Sequence, residues 1–477
     1  MIQETKSSIA LTVDRTTPTP LHRQIYERFR TAIEQGVLRP GDRVASARSL
    51  ASELGVARGT VEAAYNQLAG EGYFSSQGQA GTVVSPSLPS HRPTRREPRR
   101  GETKALREAP AETAAPPPLQ LGIPALDAFP RKLWARLAAR RVRATTAADM
   151  FYGDPSGYPP LRAAIAAYLR VSRGVACHPS QVFVTGGYRA SLALIAHTLL
   201  RKDERVWVED PGFPPTQEVL RSAGLRPVAV PVDPEGMVVA RGVRKAAHAR
   251  MAIVTPSHQA PLGVSMSLAR RLQLLAWASQ ARAWVVEDDY DGEYRYAGPP
   301  LPALKSLDGH DRVLYAGSFS KVLYPGLALG YVVVPESLHA AFGEAARIGS
   351  NGCPQLTQAT VADFMREGHF SRHLKKMRLL YARRRAMLVA ALLKAFGDHV
   401  RIDLESGGMH LIARFDQRRE SDKELARRAQ LAGLNCQPLS DRGTAGFRDE
   451  GLLMGFTNVD TPIQAQQLAT KLRAALG

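Results

Sequence analysis

The residues best suited to chemistry lie in four short runs. Ser318-Phe319-Ser320-Lys321 supplies an amine, and Glu287-Asp288-Asp289-Tyr290 supplies carboxylates and a phenol. Thr185-Gly186-Gly187-Tyr188-Arg189 follows an apolar run and opens a helical one, and Asp210-Pro211-Gly212-Phe213 ends another apolar run. A lysine amine condenses with an aldehyde to a Schiff base. A carboxylate facing a pyridine nitrogen keeps it protonated and makes the ring an electron sink. A phenol can bond a ring oxygen, and backbone N–H groups at a helix start can hold a phosphate. These are the needs of pyridoxal 5'-phosphate. The expected roles are Lys321 for the Schiff base, Asp288 for the ring nitrogen and Tyr290 for the 3-oxygen. Gly187, Tyr188 and Arg189, with Ser318 and Ser320, serve the phosphate, and Phe213 or Tyr188 stacks on the ring. Any one of these runs alone is weak, because most lysines are solvated surface groups; the ordered set carries the reading.

A second set lies near the N-terminus. Ala57-Arg58-Gly59-Thr60 opens a helical run that follows another short one, and a glycine-flanked hairpin pattern comes after it. In such an arrangement the last helix enters the DNA major groove by its N-terminal residues. Arg58 can make paired bonds to guanine, and Thr60 can reach a base or phosphate. Arg48 and Arg43 are placed for phosphates, and Gly81-Thr82 for close backbone approach by a wing.

Elements must hold these groups in place. Leu21, Ile25, Phe29 and Ile33 recur at i, i+4 and predict a helix ended by Gly36 and Pro40-Gly41. Ser46 caps a helix over 47–54 that stops at Gly55, and a third starts near Ala57 and runs to Gly72. Tyr73-Phe74, a Gln77-Gly78-Gln79 turn and Gly81–Val84 predict the wing. Residues 87–118 are rich in Pro, Arg, Glu and Ala with almost no large apolar side chain, so they read as a linker. From 119 to 477, apolar runs alternate with helical ones: 182–184, 206–208, 251–254, 284–286 and 313–315, with a helix over 268–279 between two of them. That alternation predicts an α/β domain with a mainly parallel sheet, whose ligands sit at strand carboxyl ends. The domains expected are therefore 1–86, 87–118 and 119–477.

Bulk properties bound the class. The chain has 477 residues, 44% hydrophobic and 22% charged, and a net charge of +19, which favours polyanionic partners. Residues 1–86 hold nine Lys and Arg against eight Asp and Glu, so the excess lies elsewhere. Three scattered cysteines give neither a disulfide framework nor a metal motif, and no metal site is expected. No signal peptide or spanning segment is visible; a soluble cytoplasmic protein without membrane association is expected.

Residues 20–73, PLHRQIYERFRTAIEQGVLRPGDRVASARSLASELGVARGTVEAAYNQLAGEGY, with the wing after them, resemble the GntR family of winged-helix regulators. The second half resembles class I/II aminotransferases of fold type I, carried by GDPSGYPPLRAAIAAYL (153–169), VWVEDPGFP (206–214), TPSHQAPLGVSMSLARRLQLLAWA (255–278) and YAGSFSKVLYPGLALGYVVVP (315–335). The combination resembles the MocR subfamily. It implies operator DNA as a partner, a homodimer, a large domain around 150–370, and a smaller α/β domain joining residues near 119–149 to the C-terminal segment.

Three positions depart from the aminotransferase pattern. Ala328 stands where an Arg clamps the phosphate, Ala260 where an Asn bonds the 3-oxygen, and Leu453 where an Arg binds the substrate carboxylate. Arg189 for the first, His258 or Gln259 for the second, and Arg442 or Arg448 for the third are the available substitutes. Efficient turnover needs both anions fixed. The expectation is a regulator that senses pyridoxal phosphate or an amino compound. The alternatives are an active aminotransferase with an accessory DNA-binding domain, and a cofactor-free regulator using its large domain to dimerise.

Overall fold

The apolar stripe of Leu21, Ile25, Phe29 and Ile33 forms one face of helix α1 (Leu21–Glu34) in a computed structural model. The structure describes residues 12–76, 81–86, 116–296, 301–349, 352–415, 420–444 and 446–477. Most of the expected linker and the Gln77-Gly78-Gln79 turn lie outside them. The chain divides into two compact units, Met1–Ala111 and Glu112–Gly477.

In the first unit, α2 (Ala47–Leu54) is capped by Ser46, whose side chain accepts from the Ser49 N–H, and it ends at Gly55 with φ +60°. Only glycine adopts that left-handed turn without cost. Helix α3 (Arg58–Gly70) follows, then antiparallel β1 (Phe74–Ser76) and β2 (Thr82–Val84). Phe29, Tyr65 and Phe74 meet edge to face with centroids 5.2–5.5 Å apart and tie α1, α3 and the wing together. This is the expected order of elements.

The second unit is built on a sheet of β3 (Val182–Thr185), β4 (Arg205–Asp210), β5 (Arg226–Asp233), β6 (Gly236–Met237), β7 (Met251–Val254), β8 (Trp284–Asp289), β9 (Val313–Ser318) and β10 (Gly330–Val333). Their order is β3-β10-β9-β8-β7-β4-β5-β6. β5, β4, β7, β8 and β9 are mutually parallel, whereas β10 runs antiparallel to both its neighbours. The strand expected to stop at Val286 continues through Asp289, so Asp288 lies within β8 rather than on a loop. β9 pairs with it as far as Asp289↔Gly317. The acids are tolerated there because Glu287 accepts from the Leu304 and Lys305 N–H groups, while Asp289 is held by Arg173 and Tyr315.

A second, antiparallel sheet has the order β11 (Val400–Asp403), β12 (His410–Phe415), β14 (Leu452–Gly455), β13 (Gln437–Pro438). Residues 118–123 are stitched to this C-terminal part: Gly455 N–H donates to Leu119 O at 2.8 Å, and Asn435 N–H to Pro118 O at 2.8 Å. The helix Arg131–Arg143, expected to join them, packs instead on the helix Gln355–Arg366. Arg140 and Arg141 both reach Asp363 there, an attraction between segments more than 200 positions apart. Among the described residues no helix is long and apolar enough to cross a membrane.

Candidate functional site

Side chains alternate along a strand, so Glu287 and Asp289 point one way from β8, and Asp288 and Tyr290 the other. Both oxygens of Glu287 and one of Asp289 are engaged by the protein. Asp288 is only 7% exposed, yet among the described residues nothing donates a hydrogen bond to it. Burial pushes its carboxyl well above the usual range; Asp289, Asp291 and Glu209 add to this, and Lys321 opposes it. A buried acceptor without a donor is costly, and a ring N–H⁺ would satisfy it. Lys321 lies on the short helix Phe319–Val322, and its Nζ donates to Gly122 O at 2.8 Å. Burial lowers the pKa of this amine against the pull of Asp291 and Asp288, which favours the neutral, nucleophilic form.

The pocket beside Asp288 is walled by Tyr188, Phe213, Thr216, Glu209 and Thr255. The Tyr188 and Phe213 rings lie 5.9 Å apart, and the Tyr188 hydroxyl shares a 2.7 Å hydrogen bond with Thr216. Gly187, at φ +98°, turns the chain into the helix Tyr188–Leu199 and leaves its first N–H groups open. Ser318 caps the lysine helix and accepts from the Ser320 N–H at 3.3 Å. Arg189 stands apart: it is exposed and paired with Glu218 at 2.9 Å. Tyr290 is held by His258, whose Nδ1 is 3.0 Å from the phenol and 3.2 Å from Asp291. Burial opposes charge on His258, but Asp291 and Glu405 outweigh it and raise its pKa.

In the first unit Arg43, Arg48 and Arg58 are exposed, and Thr60 is half-buried. Arg58 pairs with Glu62 one turn on, at 2.7 Å. Arg43 lies along the wing: its backbone bridges Val83, and its guanidinium is 3.4 Å from where a Gly81 Cβ would stand. Gly81, at φ +93°, favours glycine for its backbone, while the Arg43 contact itself would admit a Cβ. Thr82 opens β2 directly after it.

Comparison with known proteins places both units. Residues 21–84 match bacterial regulatory proteins of the gntR family, and residues 120–448 match aminotransferase class I and II. The probable rhizopine catabolism regulatory protein MocR of Rhizobium meliloti is 38% identical over 98% of this chain and 95% of its own length. The HTH-type pyridoxine biosynthesis transcriptional regulator PdxR of Corynebacterium glutamicum is 33% identical over 93% of each. The chain belongs to the MocR-type regulators. Its second unit shares its fold with solved aminotransferases. Pyrococcus horikoshii kynurenine aminotransferase has a TM-score of 0.68 and 25% identity, over 79% of this chain and 97% of that one. Thermus thermophilus LysN, an α-aminoadipate aminotransferase solved with N-(5'-phosphopyridoxyl)-L-leucine, has a TM-score of 0.67 and 29% identity, over 75% and 91%. The fold is a pyridoxal-phosphate-binding one.

Within this MocR-type chain the three departures have definite surroundings. Ala328 adopts φ +46° at the end of a single 3-10 turn. Near Ala260, the Gln259 amide is consumed by Glu209 at 3.2 Å and Pro211 O at 2.8 Å, so of the two candidates only His258 reaches Tyr290. Leu453 is fully buried in β14, paired with Ile412 and Gln437. Arg448 is exposed, whereas Arg442 is half-buried and donates to Gln437. Sequence reasoning missed Gly122, Glu209, Asp291 and His410. Glu209 is pushed up to about 7 by burial, against its bonds from Thr255 and Gln259. Its place at a strand's carboxyl end was a usable signal; for Gly122 there was none.

Proposed function

We propose that this DNA-binding regulator holds pyridoxal phosphate beside Asp288 and Lys321 and responds to an amino compound, or to the cofactor itself, by altering its grip on operator DNA. The observation that carries this is Asp288: a buried carboxylate without a donor among the described residues, close enough to Lys321 for the charges of the two to bear on each other. When bound, the cofactor supplies an aldehyde carbon reactive toward amines and an electron-withdrawing ring. Asp288 would hold the ring nitrogen, and Tyr290, positioned by His258, the 3-oxygen. The phosphate would fall to Gly187, the N–H groups of Tyr188 and Arg189, Ser318 and Ser320. Phe213 and Tyr188 would flank the ring.

Lys321 also has a mechanical role in this reading. Its amine is bonded to Gly122 O, in a segment stitched to the C-terminal sheet. Drawing the amine elsewhere removes that bond and frees the smaller sheet to move against the larger, a two-state element that a ligand can bias. In a homodimer such movement changes the placement of two winged helices, and half-site spacing reads it out. Met150, Phe151 and Tyr152 are 79%, 75% and 76% exposed and form an apolar patch suited to a second copy. Arg58 and Thr60 would read bases, and Arg43, Arg48, Gly81 and Thr82 would hold the backbone, with the protein acting in the cytoplasm.

Absorbance tests the reading. Purified protein incubated with pyridoxal phosphate should gain a visible band that Lys321→Ala abolishes. No band in the wild type would overturn it in favour of a cofactor-free regulator, the reading that Ala328 favours. Steady release of keto acid from an added amino acid would favour an enzyme.

A further inference from the structure

Asp291 follows Tyr290 just past the end of β8, and its carboxylate is buried. Neither of its oxygens makes a hydrogen bond among the described residues. Facing it is the His258 ring, whose Nδ1 lies 3.2 Å from Asp291 Oδ2 and 3.0 Å from the Tyr290 hydroxyl. One ring nitrogen thus faces two oxygens. A bare Nδ1 would set its lone pair against the carboxylate, so a hydrogen belongs on Nδ1 in the neutral ring as in the charged one. The phenol oxygen then accepts from Nδ1–H, and its own O–H is left to point away from the imidazole.

The ring is not free to turn out of this arrangement. A side chain at Gly408 would collide with it, and one at Gly263 would stand 3.1 Å from Nε2. Several charged groups face it. Burial opposes charge on His258, Asp291 and Glu405 favour it, and Arg295 opposes it. His410, whose ring is 5.7 Å away, stays neutral: burial lowers its pKa to about 4, and the charge of His258 adds to this. The His410 Nε2 is engaged by Pro261 O at 2.8 Å. Among the described residues only Tyr290 and Asp291 bond or pair with the His258 Nδ1. Burial raises the Tyr290 phenol, and Asp291, Asp288 and Glu209 add to this, so the hydroxyl keeps its proton.

We propose that Asp291 and His258 are positioning residues for the cofactor's 3-oxygen: Asp291 keeps the hydrogen on His258 Nδ1, the imidazole donates it to the Tyr290 oxygen, and the phenol proton is turned to the cofactor in place of the amide that Ala260 lacks. This rests on the proposed placing of pyridoxal phosphate in the pocket and adds how the chain secures a donor there. Asp291 is also the rival acceptor for the phenol proton, and that rival arrangement predicts the opposite outcome when its charge is removed.

Asp291→Asn separates the two. It removes the charge that keeps a hydrogen on Nδ1, and its amide can donate to a bare nitrogen, so the phenol donates to the imidazole. A donor on the 3-oxygen stabilises the anionic form of that oxygen. Losing it should raise the pH at which the visible band of the cofactor-loaded protein changes by about 1–2 units. His258→Phe should raise it too, because the phenol proton then falls to Asp291, and Asp291→Glu should restore part of the wild-type value. No shift in Asp291→Asn, or a downward one, overturns the proposal; a downward shift would mean that the phenol proton had belonged to Asp291. Nitrogen NMR of histidine-labelled, cofactor-free protein gives a second readout. It should show a hydrogen on His258 Nδ1 in the wild type and its loss in Asp291→Asn, and a bare Nδ1 in the wild type overturns the proposal by itself. The two readings fail separately: a missing visible band sinks cofactor binding, while the NMR result still decides the Asp291–His258 arrangement.

Discussion

In the winged-helix unit the working side chains stand in water, and in the pocket they are buried. Arg58 has a partner one turn away on its own helix, and α1 repeats the device with Arg23–Glu27 and Arg30–Glu34. Such exposed pairs are worth little, so a phosphate or a guanine edge can displace Glu62 at small cost. Around Lys321 the partners come from far along the chain, and several groups lack one that satisfies them. Asp288 has no donor, and neither oxygen of Asp291 accepts a hydrogen bond among the described residues despite the nearby His258 ring. One unit therefore offers a partner exposed, salt-screened contacts; the other offers charges that burial has made expensive to leave unmet. This also accounts for a DNA-binding unit carrying so little of the +19 excess.

The sharpest way to separate the two regions is to break the first. Phe29→Ala removes the ring on which Tyr65 and Phe74 both pack and should cost about 3–5 kcal/mol. Operator binding in a gel shift should be lost while the visible cofactor band persists. If the band falls too, the units are not energetically independent. Next comes burial in the pocket. The folded state holds the proton of Glu209 up to about 7, against an ordinary 4.5. Between those values the native chain binds more protons than the unfolded one, so stability falls as pH rises, by roughly 3 kcal/mol for this group. Glu209→Gln should flatten that decline, read by denaturant melts of the large unit at about pH 5 and about pH 8. An unchanged slope would mean that the carboxylate is already relieved of its burial. Smaller again is Arg58→Ala, which should weaken operator binding about 10–100-fold and flatten discrimination among operator variants. A uniform loss across all sequences would make Arg58 a phosphate contact.

What the sequence disclosed follows the same division. In the first unit the signals are local: Ser46 and Gly55 delimit α2 to the residue, because a cap and a left-handed stop act within one turn. In the second, apolar runs located the strands but not their ends. β4 and β8 run on through Asp210 and Asp289, beyond the apolar positions where pattern reading stopped. The polar ends are stabilised by tertiary partners such as Arg173 and Thr255, which no window of adjacent residues contains. The same applies to the site. Lys321, Asp288 and Tyr290 were legible as residue types in order. Gly122, 199 positions from the lysine that it binds, was not, nor was the choice of His258 over Gln259, which depends on Glu209 claiming the glutamine.

The smallest expected effect lies at the proposed phosphate end of the pocket, where the buried site would rely on the weak means of the surface one. The proposed phosphate holders are N–H groups and hydroxyls, with the nearby Arg189 turned to Glu218 in solvent. Ala328 already sits at φ +46°, and that left-handed conformation strains any L-residue alike. Arginine there adds side-chain length without adding backbone cost over alanine. If residue 328 faces the phosphate, Ala328→Arg supplies a charge-assisted fork and should tighten pyridoxal phosphate binding about tenfold in an absorbance titration. Its operator affinity without cofactor should stay as in the wild type. Unaltered cofactor affinity would place the phosphate away from the 325–328 turn and leave the N–H groups after Gly187 as its main holders.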